Sequence, residues 1–289
     1  MKQHKRVALA ALTITLLLAG CVTPQAANQA AGNIGEVRLV AQWPVEPPPN
    51  GIAVGPGGTV YVTINNSHRV VGYSPVGEPL AEWPVEEEPD AIAAGPDGTV
   101  YVTINNSHRV VRYGSAGELL GVYEVTCRDC GVIETNGIAV GPDGSILVTI
   151  NNSHRVVHLS AAGEYLDEWA IEGAAAGIAA GPEGTVYVTI NNSHRVVHYS
   201  AAGELLGSWE VTCRDCGVIE TNGITVGSDG SVYVTINNSH RVVQHSASGE
   251  YVQEWAYEGE AAGLAAGPEG LVYIADQAGS RVLAFQTRP

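Results

Sequence analysis

One nine-residue motif, Thr-Ile-Asn-Asn-Ser-His-Arg-Val-Val, dominates the chain. Five copies occur, and they begin at Thr63, Thr103, Thr149, Thr189 and Thr235. A sixth, degenerate copy begins at Ala275. Each copy lies in a longer unit of four short apolar or alternating stretches separated by turn residues, a pattern typical of β-strands. Such a unit cannot bury its apolar face alone, so neighbouring units must pack against each other.

The spacing of the units indicates their number and origin. The apolar residue near the start of each unit serves as a marker, at Ile52, Ile92, Ile138, Ile178, Ile224 and Leu264. The intervals are 40, 46, 40, 46 and 40 residues. Six four-stranded units of this length predict an all-β, six-bladed β-propeller. Because the intervals alternate, we infer duplication of a two-blade cassette and approximate threefold symmetry.

The sixth unit contains only three of its four strands. The segment Trp43-Pro-Val-Glu precedes Ile52 by nine residues, just as Trp83-Pro-Val-Glu precedes Ile92. We therefore expect residues 36–46 to supply the missing outer strand and close the ring, which removes an exposed sheet edge. The outer strands carry aromatic residues that we interpret as packing anchors between blades. These residues are Trp43, Trp83, Tyr123, Trp169, Trp209 and Trp255.

The units resemble NHL repeats across residues 35–289. The resemblance rests on Gly141-Pro142-Asp143-Gly144, on Val272-Tyr273-Ile274-Ala275-Asp276 and on His-Arg pairs such as His68-Arg69. It implies a six-bladed propeller. One departure from the NHL pattern is that its aspartate survives only as Asp276. Isoleucine replaces it at Ile64, Ile104, Ile150, Ile190 and Ile236.

The start of the chain has the features of an export signal. Three cations precede an apolar run over residues 7–18, which is too short for a stop-transfer span. The run ends in Leu18-Ala19-Gly20-Cys21, which resembles a bacterial lipobox and implies that residues 1–20 are a lipoprotein signal peptide and that Cys21 is lipidated. Residues 21–34 have the composition of a flexible tether. We expect an exported propeller, over residues 35–289, anchored by lipid to the cell membrane or outer membrane on its extracytoplasmic side.

Charge narrows the range of partners. Of the 14 Lys and Arg residues, three precede Cys21, which leaves 11 cations against 30 Asp and Glu and a formal charge of −19. Such a surface repels phosphate backbones and anionic headgroups. We expect no nucleic-acid partner, no membrane contact beyond the lipid anchor, and a monomer.

Two six-residue insertions carry the remaining cysteines, in the connections between one unit's outer strand and the next unit's inner strand. They contain Cys127-Arg-Asp-Cys130 and Cys213-Arg-Asp-Cys216. Oxidation is the default in an exported protein. The two loops lie a third of the ring apart, too far for a bridge between them. We predict local Cys127–Cys130 and Cys213–Cys216 disulfides, with a zinc knuckle or a redox-active pair as the alternatives.

Polar residues precede the inner strands, where a propeller has the mouth of its central channel. They are Asn50, Asp90, Asn136 and Asn222, with Glu134 and Glu220 two residues earlier in the inserted loops. Their oxygens are suited to Ca²⁺ or a polyol, although Asn and Asp also form turns. No cofactor other than this candidate Ca²⁺ is predicted.

The repeated histidine of the motif suggests a metal site at first. Its copies are His68, His108, His154, His194 and His240. In a sixfold ring, however, third-strand residues lie roughly 10 Å or more from the axis, whereas zinc ligands lie about 2 Å from the ion. We expect each histidine to serve its own blade.

Two functions are consistent with these features. The first is a non-catalytic scaffold that binds a protein, peptide or glycan. The alternative is a hydrolase or lyase similar to gluconolactonases or peptidyl-hydroxyglycine lyases, with a metal in the channel. Near-identical units favour the scaffold, because catalysis needs unlike groups at one point. The inner strands also lack the His or Glu that those enzymes place there, so no catalytic residue is predicted.

Overall fold

The structure, a computed structural model, describes residues 37–128, 130, 133–214, 216 and 219–287. Within these residues, 24 strands form six four-stranded antiparallel sheets. The inner strand of each sheet contacts the inner strands of both neighbouring sheets, which closes a ring. The predicted six-bladed β-propeller is therefore confirmed. The predicted signal peptide (1–20), Cys21 and the tether (21–34) lie outside the described residues.

The strands follow the order expected from the units. The chain starts with β1 (Arg38–Pro44). Blade 1 contains β2 (Ile52–Val54), β3 (Val60–Ile64), β4 (Arg69–Tyr73) and β5 (Pro79–Pro84), and blade 2 contains β6 (Pro89–Ala94), β7 (Val100–Ile104), β8 (Arg109–Tyr113) and β9 (Leu119–Glu124). Blade 3 contains β10 (Thr135–Val140), β11 (Ile146–Ile150), β12 (Arg155–Leu159) and β13 (Tyr165–Ala170), and blade 4 contains β14 (Ala175–Ala180), β15 (Val186–Ile190), β16 (Arg195–Tyr199) and β17 (Leu205–Glu210).

Blade 5 contains β18 (Thr221–Val226), β19 (Val232–Ile236), β20 (Arg241–His245) and β21 (Tyr251–Ala256), and blade 6 contains β22 (Ala261–Ala266), β23 (Leu271–Asp276) and β24 (Arg281–Gln286). Short 3-10 helices occur at Asn65–Ser67, Asn151–Ser153, Asn237–Ser239 and Pro268–Gly270. No helix among the described residues is long and apolar enough to cross a membrane.

Strand β1 closes the ring. It pairs antiparallel with β24, so that Trp43 lies opposite Val282 and Pro44 opposite Arg281. The sixth sheet therefore has the order β1, β24, β23, β22. The expectation that the N-terminal segment completes the last blade is confirmed.

The inner strands approach each other closely because their side chains are small. A Cβ on Gly177 would lie 2.9 Å from the carbonyl oxygen of Asn222 in the next blade. A buried threonine from the second strand supports this region, since Thr63 Oγ1 accepts a hydrogen bond of 2.7 Å from the Gly51 N–H. The same contact recurs from Gly137 to Thr149, at 2.8 Å.

Aromatic side chains fill the wider gaps between the outer parts of the blades. The ring of Trp83 lies 6.0 Å from that of Tyr61 in its own blade and 5.9 Å from that of Tyr113 in the next. Gly117 of the next blade adopts a left-handed φ of 93°, and a Cβ there would lie 2.6 Å from the Trp83 ring. The aromatic residues thus pack between blades, as the sequence predicted.

Candidate functional site

The two ends of the propeller differ in construction. At one end, tight turns join the inner strand to the second strand, and Pro96, Pro142 and Pro182 surround an opening of about 330 Å³. At the other end lie the Asn-Asn-Ser-His loops and the connections between blades. Because antiparallel strands alternate in direction, all of these loops share that end. We call it the loop-rich end.

The predicted asparagines at the channel mouth join neighbouring inner strands. Asn50 Nδ2 donates a hydrogen bond of 2.9 Å to the carbonyl oxygen of Asp90, which brings these two predicted residues together. Asn136 Nδ2 donates to the carbonyl oxygen of Ala175 at 3.1 Å. Asn222 Nδ2 makes the corresponding contact with Ala261 at 3.5 Å. These amides therefore hold the mouth of the ring together.

Unlike the asparagines, the two glutamates predicted at the mouth do not join neighbouring inner strands through their side chains within the described part of the chain. Glu134 and Glu220 are exposed, and the backbone carbonyl of Glu220 accepts a hydrogen bond of 3.3 Å from the Asn237 N–H. Across the described ranges, no group of three or more His, Cys, Asp or Glu side chains is placed to hold a metal ion. The calcium site stays a prediction.

Asp90 is the titratable group of interest at the mouth. It is half-buried, and burial, reinforced by the negative charge of Glu88, raises the pKa of its carboxyl to about 6. A carboxyl group of this pKa holds a proton in mildly acidic solution and releases it near neutrality. A carboxyl pKa raised in this way is a property that acid-base chemistry uses.

The cysteines form the two predicted local disulfides. Cys127 pairs with Cys130, and Cys213 pairs with Cys216. The Cα atoms of each pair are 5.7 Å apart, within the usual range for a disulfide. Both bridges lie in connections at the loop-rich end.

Each disulfide loop is bound to the outer strand of the blade that follows it. The Arg128 N–H donates a hydrogen bond of 2.9 Å to Glu168 Oε2, and the Arg128 guanidinium lies 5.5 Å from the centre of the Tyr165 ring. The second loop repeats both contacts. Arg214 N–H donates to Glu254 Oε2 at 3.0 Å, and its guanidinium lies 5.9 Å from the Tyr251 ring.

The glutamates under these loops are buried ion-pair partners. The side chains of Glu168 and Glu254 are 6% and 1% exposed, and they pair with Arg155 at 3.0 Å and Arg241 at 2.9 Å. Burial raises the pKa of the Tyr251 hydroxyl, and the Glu254 charge raises it further. Each loop is thus fixed by a disulfide, a cation over a ring and a carboxylate.

This cluster was not predicted, although the sequence contains a signal for it. The pattern Tyr-x-x-Glu occurs on the outer strand only in the two blades that follow an insertion, at Tyr165 with Glu168 and at Tyr251 with Glu254. The other outer strands of blades 1 to 5 have Pro79 with Glu82, Leu119 with Val122 and Leu205 with Ser208. Correlating the insertions with these positions would have revealed the contact.

The repeated histidines serve their own blades through the backbone. The carbonyl oxygen of His154 accepts a hydrogen bond of 2.8 Å from the Ile171 N–H, and that of His68 accepts one of 2.7 Å from the Val85 N–H. The side chain of His240 also contacts the Gly259 carbonyl. Among the described residues, these histidines form no group of three that could hold a metal ion.

Fold and site together define a six-bladed β-propeller with two disulfide loops at one end. Its sequence matches no known family pattern and no curated protein.

Solved structures with the same architecture include selenomethionine-substituted virginiamycin B lyase from Staphylococcus aureus, at 17% identity over 87% of this chain and 99% of that chain, with a TM-score of 0.63. A catalytically inactive histidine-to-alanine form of that lyase with quinupristin is similar at 19% identity over 83% and 82% of the two chains, with a TM-score of 0.62. The Cps50 (Swd1) β-propeller domain from Myceliophteria thermophila has 11% identity over 82% of each chain, with a TM-score of 0.61. These likenesses establish the fold alone.

Proposed function

We propose that this chain is a lipid-anchored, NHL-type propeller of the bacterial envelope that binds a protein, peptide or glycan with its loop-rich end and does not transform it. The observation that carries this proposal is the rigid attachment of both disulfide loops at that end, through Arg128 to Glu168 and through Arg214 to Glu254. Insertions into a repeat scaffold that lie on one face commonly form its binding surface.

The chemistry of the channel supports binding over catalysis. Apart from Asp90, the inner strands carry no ionisable side chain, and the asparagines at the mouth donate their amide hydrogens to neighbouring backbone carbonyls. The disulfides are consistent with an exported location. A formal charge of −19 after the leader favours partners other than nucleic acid or anionic lipid.

Two experiments test this proposal. In the first, a photo-crosslinking amino acid replaces Glu134 at the loop-rich end or Glu183 in a turn at the opposite end, both exposed glutamates, in the full chain in intact cells of its native bacterium. We expect a discrete crosslinked partner from position 134 and none from position 183. Equal crosslinking from both positions, or crosslinking only from position 183, contradicts the assignment of the binding face.

The second experiment tests the anchor. Cells supplied with radiolabelled palmitate should label the wild-type chain, and the Cys21→Ser variant should lose both the label and its sedimentation with membranes. Retention of the chain in the membrane fraction by the variant contradicts lipid anchoring at Cys21.

One observation favours the enzyme alternative, which is the raised pKa of Asp90 at the channel mouth. Quinupristin, present in one of the similar lyase structures, is a direct probe for it. We expect the wild-type protein to leave quinupristin unchanged by mass spectrometry. Conversion by the wild type and not by the Asp90→Asn variant would replace the scaffold with a lyase.

A further inference from the structure

A cleft of about 250 Å³ lies between the outer strand of blade 1 and the outer half of blade 2. Its floor and walls are apolar, and they are formed chiefly by Trp83, Val85, Val111, Leu119 and Val122. Leu119 and Val122 are 59% and 48% exposed, and together with the cleft walls they form one apolar patch. We call this space the blade 2 cleft.

The corresponding space in blades 3 and 5 shows what a filled cleft looks like. Strand pairing places Leu119 opposite Tyr113 and Val122 opposite Val111 in blade 2. In blade 3 the equivalent pairings involve Tyr165 and Glu168. These are the residues that hold the disulfide loop, so an irregular segment of this chain covers in blade 3 the positions that are open in blade 2.

Connection length explains why blade 2 stays open. The connection from β5 to β6 has four residues, 85–88, whereas the connection from β9 to β10 has ten, 125–134. The shorter connection ends before it can fold back over the outer strand. Its first residue, Val85, instead forms part of the cleft wall.

The connection that leads into blade 4 is also short, but in this blade an arginine covers the position equivalent to Val122. Arg195 Nη2 donates a hydrogen bond of 2.8 Å to Ser208 Oγ, which corresponds to Val122, and Nη1 bonds Glu172 at 2.7 Å. In blade 2, Arg109 forms an ion pair with Glu87, and an aliphatic Val122 offers it no acceptor. Leu205, the blade 4 counterpart of Leu119, is equally exposed at 58%, so what distinguishes the blade 2 cleft is the apolar Val122 where blade 4 has a serine under an arginine.

One end of the blade 2 cleft is acidic. Glu86 and Glu87 line it, and Glu87 is already paired with Arg109. Glu86 is exposed, and its charge raises the pKa of the nearby Tyr113 hydroxyl after the larger effect of burial. An occupant that complements this cleft carries an apolar side chain next to a cation.

We propose that the blade 2 cleft binds an extended peptide segment of a partner protein, with an apolar side chain on Leu119 and Val122 and a neighbouring Arg or Lys against Glu86. The partner peptide takes the place that the chain's own Arg128 loop takes in blade 3. This inference rests on the proposed binding function and names a site and a ligand class for it.

Fluorescence anisotropy with labelled peptides tests the proposal. The full chain carries Cys21→Ser so that it is not lipidated, and the probes are Gly-Leu-Val-Arg-Gly, its Gln analogue Gly-Leu-Val-Gln-Gly and the polar analogue Gly-Ser-Ser-Arg-Gly. We expect the first probe to bind at least about tenfold more tightly than either analogue, and we expect Glu86→Gln to abolish its advantage over the Gln analogue.

Two matched variants locate the site. Leu119→Asp should weaken binding of the first probe at least about tenfold, whereas Leu120→Asp should change it less than about twofold. Both leucines are exposed on β9, at 59% and 49%, but Leu120 does not line the cleft. Circular dichroism should show both variants folded, because neither side chain is part of the core.

Three results overturn the peptide site. They are no binding of any probe at about 1 mM, equal losses in the two leucine variants, or self-association that requires Leu119 in analytical ultracentrifugation, which would assign the cleft to a second copy. Crosslinking from position 134 is measured in cells and does not use the peptide probes. If it persists while the peptides fail, the peptide site falls and the proposed scaffold function stands.

Discussion

Blade 1 and blade 5 contain the same arginine-glutamate pair in two environments. Arg69 and Glu82 are 2.7 Å apart, with Glu82 55% exposed. Arg241 and Glu254 are 2.9 Å apart, with Glu254 1% exposed. The difference is the inserted loop that precedes blade 5, whose Arg214 N–H caps the free carboxylate oxygen. Insertion of six residues between blades buries the carboxylate of the pair, whereas the arginine stays about as exposed, at 31% against 29%.

This contrast shows where new properties arise in a repeat protein. An exposed ion pair contributes about 0–1 kcal/mol, whereas loss of one partner of a buried pair is far more costly. Blade 1 keeps the pair without depending on it. In blades 3 and 5 the glutamate of the pair also binds a loop. The position of the connection between blades therefore depends on this pair, and the connection gives these blades a different surface.

The largest effect is expected from Glu254→Gln. The amide cannot accept both charge-assisted hydrogen bonds, from Arg241 and from the Arg214 N–H, so we expect a loss of roughly 2–3 kcal/mol in the free energy of unfolding in urea. Glu82→Gln is the matched control and should cost less than about 1 kcal/mol. Equal losses in the two variants would show that the loop does not bury the Glu254 carboxylate in solution.

Removal of a disulfide should have the next largest effect. The double variant Cys213→Ser with Cys216→Ser releases a closed loop of four residues, for which chain entropy predicts a loss of about 2 kcal/mol. The measurement is the urea midpoint of the oxidised protein. The equivalent change at Cys127 and Cys130 serves as an internal replicate, and an unchanged midpoint in both would mean that the bridges do not constrain the chain.

A histidine distinguishes the two blades that carry loops. His245 occupies the position of Leu159 in blade 3, its side chain is 1% exposed, and neither ring nitrogen has a hydrogen-bond partner among the described residues. Burial lowers its pKa from 6.5 to about 4. As the pH falls from 6.5 towards 4, the unfolded chain binds a proton that the folded chain refuses, so stability is lost over this range.

The test is His245→Phe, which matches Phe285 in blade 6. We expect the difference in unfolding free energy, variant minus wild type, to rise by roughly 1–2 kcal/mol as the pH falls from 7.5 to 5. Urea unfolding at each pH measures it. A constant difference across this range would mean that His245 is protonated or solvated in the fold.

The smallest effect is expected from Tyr165→Leu, which gives blade 3 the residue that blade 2 has at Leu119. Loss of the ring beneath the Arg128 guanidinium should cost about 0.5–1 kcal/mol. Leu166→Ala, at the exposed neighbouring position, controls for the loss of apolar surface. A larger loss in the control would indicate that the ring does not hold the loop.

Much of the fold could be predicted because repetition specifies it. The marker spacing predicted six blades, and the Trp43-Pro-Val-Glu segment predicted the closing strand, which pairs with β24. The disulfide pairs also followed from spacing and the geometry of a ring. The hydrogen bond from Arg214 to Glu254 did not follow from the spacing, because it joins residues 40 apart, and its signal is the Tyr-x-x-Glu pattern on the strand after each insertion.

The nine-residue motif shows a further limit of local sequence. In blade 3, His154 adopts a left-handed φ of 51° after a 3-10 helix, whereas in blade 4 Asn192 of the same motif is left-handed, at 53°. Thr221, the first residue of β18 in blade 5, contacts the blade 4 copy, because its Oγ1 donates a hydrogen bond of 3.0 Å to the Ser193 carbonyl oxygen. Identical residues thus adopt two conformations, and a neighbouring connection distinguishes them.

Amide hydrogen exchange at Arg128 and Arg214, followed by NMR in the oxidised protein, tests the central claim most directly. If both backbone N–H groups donate to buried carboxylates, they exchange at least about tenfold more slowly than in an unstructured chain, and Glu168→Gln and Glu254→Gln each accelerate only the amide above the altered carboxyl. Exchange of both amides at the unstructured rate would contradict the attachment of the loops to the blades.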